Sequence, residues 1–138
     1  MPYVRAFVAG FLSTLIFHQG VLFLFYSMGV FPRAPWNMDG VPPFGVPSVI
    51  SLAFWGGVWG IPIWYLMRHA TNAAYWVRAI VFGAIFPTVV AFLVVVPLKG
   101  GTFGAGWDPK LWIGGLIVNG AWGLGLALFM RVLRRVGV

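Results

Sequence analysis

The chain has 138 residues, 61% hydrophobic and only 8% charged, with nine Lys and Arg against two acids and a net charge of +7. A soluble domain carries about 45–50% apolar and about 25% charged residues, so this composition excludes a water-soluble globule and makes the bilayer the solvent. No cysteine is present, which excludes disulfides, thiolate metal sites and cysteine nucleophiles. In a membrane chain the positive charge reads as topology and anionic-lipid contact, not as nucleic-acid binding.

Four apolar stretches, roughly residues 6–25, 49–67, 79–98 and 111–130, approach the ~20 residues that a spanning helix needs. They predict an all-α membrane protein of four transmembrane helices in one domain over residues 1–138. The first stretch follows Arg5 and precedes Ser27-Met28-Gly29, which has the spacing of a signal cleavage site. Its length and the His18-Gln19 pair inside it favour a retained helix.

The second and fourth stretches look like copies. FWGGVWGIPIWYLMR (54–68) and IVNGAWGLGLALFMR (117–131) align at a shift of 63, matching at Gly57/Gly120, Trp59/Trp122, Gly60/Gly123, Met67/Met130 and Arg68/Arg131. The first and third do so at a shift of 73, VRAFVAG (4–10) against VRAIVFG (77–83). The pattern predicts a duplicated helical hairpin, repeat one over about 4–68 and repeat two over about 77–131, inserted in parallel about an axis along the membrane normal.

Arg5, Arg68, Arg78, Arg131, Arg134 and Arg135 fall on the side of the termini, whereas Arg33, Lys99 and Lys110 fall on the other. The positive-inside rule then predicts both termini inside, N-in/C-in. Of these residues Arg68, Arg78, Arg131, Arg134 and Arg135, with His69, form an inner rim suited to anionic headgroups. An acidic protein partner is the alternative.

The long first loop, FPRAPWNMDGVPPFGVPS, predicts turns without regular elements, with Asp39 bonding its own backbone and Gly40 at positive φ. In the second loop Asp108-Pro109 reads as an N-cap and first-turn proline that open the fourth helix. Trp36 and Trp107 read as interfacial anchors.

Within the apolar stretches, Gly56, Gly57 and Gly60, with Gly120 and Gly123 in the other copy, offer small faces for close helix packing. They predict the second and fourth helices as the central pair, or a homodimer through the same faces. Trp55, Trp59, Trp64 and Trp122 read as filling space against the glycines, and Pro62 and Pro87 as helix-interior prolines.

The candidate functional residues are polar groups at membrane depth, which are costly there and face an interior or a cavity. His18, Thr14 and Gln19 lie on the first helix and Asn119 on the fourth. His18 is 13 residues beyond Arg5 and Asn119 is 12 before Arg131, roughly 20 and 18 Å from one surface. The two can hydrogen-bond if the first and fourth helices touch. Each breaks the repeat, since His18 aligns with Ala91, Gln19 with Phe92 and Asn119 with Gly56.

Three readings stand. The first is a non-catalytic structural or accessory protein, acting through lipid and membrane-protein contacts, alone or in a homo-oligomer or larger complex, with no cofactor. The second is a small channel or transporter with His18, Thr14 and Asn119 on its path. The third is a haem or chlorin carrier with His18 as axial ligand. No intramembrane carboxylate, nucleophile–base pair, phosphate loop or metal spacing suggests catalysis. The series FHQG, PPFGVP and FWGGVWG looks like small bacterial inner-membrane proteins, a resemblance that implies a location and no mechanism.

Overall fold

The computed structural model describes all of residues 1–138 and is mainly helical. Four helices are long and apolar enough to cross a membrane: α1 (Pro2–Ser27), α2 (Ser48–Met67), α3 (Asn72–Leu98) and α4 (Pro109–Arg135). They run antiparallel in sequence, so both termini and the short α2–α3 connection share one end, and the two longer loops share the other.

The order in space is α2, α1, α4, α3. α1 packs along α2, α3 packs along α4, and the two pairs meet mainly through α1 and α4. α4 is the central element, with half of its most apolar window buried against 22–28% for the other three. This corrects the expected α2–α4 pairing, because those two helices barely touch.

The glycines are used inside the chain. A methyl group added at Gly56 would strike the Thr14 hydroxyl, and one at Gly60 would strike the Ala6 carbonyl. At Gly57 it would lie 2.7 Å from the Phe7 ring. Across the other pair, a methyl at Gly123 would strike the Ala79 carbonyl and one at Gly83 would lie 2.8 Å from the Gly123 Cα. Ala6·Gly60 and Ala79·Gly123 are thus the same crossing after shifts of 73 and 63. Gly120 is different, because a methyl there would find only ordinary contact, 3.5 Å from Ala84. Backbones this close gain dispersion and weak polar contacts along each crossing.

A third contact joins the pairs. The Trp122 indole N–H donates to the Gly10 carbonyl (3.0 Å), and the Ser13 hydroxyl donates to the Trp122 carbonyl (2.6 Å). Gly125 leaves room for Ser13 and Phe17. Around this lock lies the main apolar cluster, which includes Ala6, Ile63, Met67, Ala79, Leu126 and Met130. All of these sit in the half of the bundle next to the termini.

Pro62 and Pro87 lie inside α2 and α3 as expected. Two π-turns interrupt the long helices, at Thr14–His18 in α1 and at Ala91–Val95 in α3, the second starting four residues after Pro87. The first loop is more regular than expected. Gly40–Val41 (β1) and Val46–Pro47 (β2) form a minimal antiparallel hairpin. Its turn signal is also reassigned, since Asn37, not Asp39, accepts from the backbone, taking the Asp39 N–H at 2.7 Å. Gly40 does not have positive φ and is instead pressed against Gly45, where a Cβ would come within 2.9 Å of the carbonyl. Asp108 caps α4 as expected, accepting from the Lys110 N–H at 2.9 Å with Pro109 next to it.

These crossings predict a graded response to added methyl groups. Gly60→Ala and Gly123→Ala force backbone apart and should each lower unfolding stability by about 1–3 kcal/mol. Gly120→Ala should change it by no more than about 0.5 kcal/mol. Equilibrium unfolding in mixed micelles of detergent and denaturing detergent reads the difference.

Candidate functional site

The π-turn in α1 decides how the site is built. A regular helix would bond the Leu15 carbonyl to the Gln19 N–H, but that N–H reaches Thr14 and Ile16 instead. The freed Leu15 carbonyl needs another donor. Trp36 supplies it from the first loop, its indole N–H donating at 2.8 Å. Trp36 is therefore a tether that draws the loop onto α1, and its φ of 53° is part of that geometry.

The same tether orients the polar residues. The backbone N–H of Trp36, which can only donate, bonds Gln19 Oε1 at 2.7 Å. That turns the Gln19 amide nitrogen toward His18 Nδ1 at 3.1 Å. His18 Nδ1 then accepts, and the imidazole carries its proton on Nε2. No hydrogen bond reaches Nε2, and no buried side-chain nitrogen or oxygen lacks a partner, so Nε2–H opens onto free space.

A second relay ends on α4. The Thr88 hydroxyl of α3 donates to the Gly115 carbonyl at 3.3 Å. Its oxygen is then free to accept from Asn119 Nδ2 at 2.8 Å. This fixes the amide of Asn119 and leaves Oδ1 as an unused acceptor. His18 and Asn119 do not bond each other, contrary to the conditional expectation. α1 and α4 do touch, but each residue is held by a nearer partner, Gln19 and Thr88.

His18 and Asn119 share a wall between two cavities. One, of about 710 Å³, runs among α1, α3, α4 and the loops, past Thr88, Phe92, Gly114 and Arg33. The other, of about 770 Å³, separates α2 from α3, with Thr14, His18, Asn119 and Trp122 at its floor and Lys99 at its loop end. Both reach the loop end of the bundle, the first at Arg33 and Thr102 and the second at Val41 and Lys99. The apolar cluster closes the other half of the bundle.

The second cavity exists because one interface has no counterpart. The shifts of 63 and 73 carry Gly125 to Pro62, Ser13 to Phe86 and Trp122 to Trp59. Where Gly125 and Ser13 admit a tight α1–α4 contact, the corresponding positions hold Pro62, which lines the gap, and Phe86, which is exposed. Trp59, half-buried, lines the gap, and its indole N–H makes no hydrogen bond within the chain.

Of the residues singled out by sequence, His18, Thr14 and Asn119 meet at one place, with Gln19 buried behind His18. Thr14 is oriented by donating to the Gly10 carbonyl at 3.0 Å. Thr88 and Trp36 were missed. Thr88 is the lone hydroxyl of its apolar stretch and was open to discovery as a partner at the depth of Asn119. Trp36 depends on the π-turn and carried no local signal. Over the first cavity, residues 104–107 form a left-handed turn that includes Ala105 and Trp107 at φ 53° and 55°, a strained conformation for both. Trp107 stacks flat on Trp112, 5.4 Å between centroids, whose indole N–H holds the Gly104 carbonyl at 2.8 Å.

Comparison with protein families, with curated proteins and with solved structures found no match to this chain.

Replacing Gln19 by Leu should uncouple the tether. The Trp36 amide, left without its acceptor, should exchange with solvent faster in hydrogen–deuterium exchange. Stability should fall by about 1–3 kcal/mol through the polar groups orphaned behind His18.

Proposed function

We propose that this chain is a non-catalytic accessory protein of a bacterial inner membrane, with both termini inside, built as two parallel copies of a helical hairpin. It acts through anionic lipid headgroups and contacts with other membrane proteins. The observation that carries the reading is the rim at the termini end. There the Arg68 guanidinium lies over the Tyr65 ring at 3.5 Å and bonds the Tyr65 carbonyl, and Arg131 lies 4.5 Å over Tyr75 and 4.9 Å over Trp76. Arg78, Arg134 and Arg135 are exposed beside them. Both acids, Asp39 and Asp108, belong to loops at the opposite end, so the rim offers several cations to an outside anion. Aromatic rings bearing guanidinium groups suit a headgroup layer. The matching Ala6·Gly60 and Ala79·Gly123 crossings support the duplication.

A conducting path is the weaker reading. His18, Thr14 and Asn119 line cavities, but the cluster of Ile63, Met67, Leu126 and Met130 stands between these and the termini end. A haem ligand is weaker still, because an axial His offers its metal a lone pair, and the Gln19 relay leaves the proton on Nε2. Nor does the face of Gly56, Gly57 and Gly60 remain for a homodimer, as α1 covers it.

Two measurements check the proposal. Single cysteines introduced at Val138 and at Thr102, in a chain without any, should be modified by an impermeant maleimide from opposite sides of the membrane, Thr102 from outside. Arg78→Gln, Arg134→Gln and Arg135→Gln together should weaken retention of anionic over zwitterionic phospholipid in native mass spectrometry, by roughly 10²-fold at ~1 kcal/mol per charge. Equal retention of both lipid types by the parent protein would overturn the headgroup role.

A further inference from the structure

Two polar relays, anchored on different helices, each end in one unspent group on the wall that the cavities share: a donor at His18 Nε2–H and an acceptor at Asn119 Oδ1. Structural glue would consume these groups, and here nothing in the chain does. The cavity between α2 and α3 has the size of a small-molecule site, about 770 Å³ where such sites run about 300–1,000 Å³. Above the polar floor its walls are mainly apolar and aromatic, with Leu52, Trp55, Val58 and Val90 along them and Ser48, Ser51 and the Trp59 indole as the polar exceptions. Trp55 and Leu52 are exposed to whatever surrounds the bundle.

We propose that this cavity binds a lipid-soluble, single-chain amphiphile whose small uncharged head both accepts and donates a hydrogen bond. A terminal hydroxyl is the simplest such head. It accepts from His18 Nε2–H and donates to Asn119 Oδ1, while the chain lies along the apolar walls. The floor carries no formal charge of either sign, so an ionised head would be buried without a partner there. The cation of this cavity, Lys99, stands at its loop end, away from the floor. A head that only accepts leaves Asn119 unpaired, and a pure hydrocarbon leaves both groups unpaired, so the site discriminates by hydrogen bonding as well as by shape. This inference is independent of the membrane orientation and of the arginine rim.

The test uses the purified full chain in detergent micelles and 1-tetradecanol carrying a diazirine on its chain. Irradiation should label cleft-facing residues of α2 and α3 saturably. Unlabelled 1-tetradecanol should compete, its methyl ether at least about tenfold more weakly, and tetradecane least, as expected when a site must leave a polar group unpaired. His18→Leu combined with Asn119→Leu should erase the preference of alcohol over ether. Ser51→Trp, which fills the cavity without touching either relay, should abolish labelling while the helical circular dichroism spectrum is retained. Labelling that does not saturate, that spreads over the outer faces of α1 and α4, or that the ether blocks as well as the alcohol would overturn the proposal. The competition series on the parent protein decides it even if the double variant does not fold.

Discussion

Near the middle of α1 the Gly10 carbonyl receives both the Thr14 hydroxyl and the Trp122 indole N–H, while its Cα lies against the backbone of Gly56. Three helices are held together through that one residue. In hydrocarbon, apolar side chains gain nothing by leaving lipid for each other, so helices associate where backbones can come close and polar groups can bond across. Gly10 does both. A side chain there would push α2 away, lengthen the Trp122 contact and separate the two helix pairs.

From that junction the bundle divides into two halves of different character. Toward the termini, small residues and a continuous apolar cluster close the structure, and Arg68 and Arg131 lie on aromatic rings at its rim. Toward the loops, Pro62 and Phe86 stand where the other interface has Gly125 and Ser13, and the helices part. The polar residues lie at this boundary. Thr14 begins the π-turn that frees the Leu15 carbonyl, the carbonyl recruits Trp36, and Trp36 orients Gln19 and His18. Asn119 is set from the other side by Thr88. A packed scaffold thus brings the ends of both relays, His18 and Asn119, to the wall of a space it leaves open.

Much of this was legible in the residue string. Composition and four apolar stretches announced the four helices, Asp108-Pro109 announced the start of α4, and the rarity of polar residues at depth pointed to His18 and Asn119. Partner choice was not legible. Gly56 and Gly60 declared a close approach without saying which helix would make it, because a small-residue face is symmetric toward any neighbour. The α2–α4 expectation failed for that reason. The His18–Asn119 bond that their matching depth allowed does not form, because each residue has a nearer partner, Gln19 and Thr88.

The sequence by itself determined the apolar character of the chain, the number and approximate extent of its long helices, the internal correspondence of their glycines and the short list of polar residues worth attention. These follow from local composition and spacing, which are properties of the chain. The tertiary structure alone decided that α1 and α4 form the central seam, that Trp36 folds back onto a carbonyl released by a π-turn, and that His18 holds its proton on Nε2 facing a cavity. Each depends on a contact between residues far apart in the chain, where geometry and the need of every buried polar group for a partner select one arrangement among several that the same residues allow.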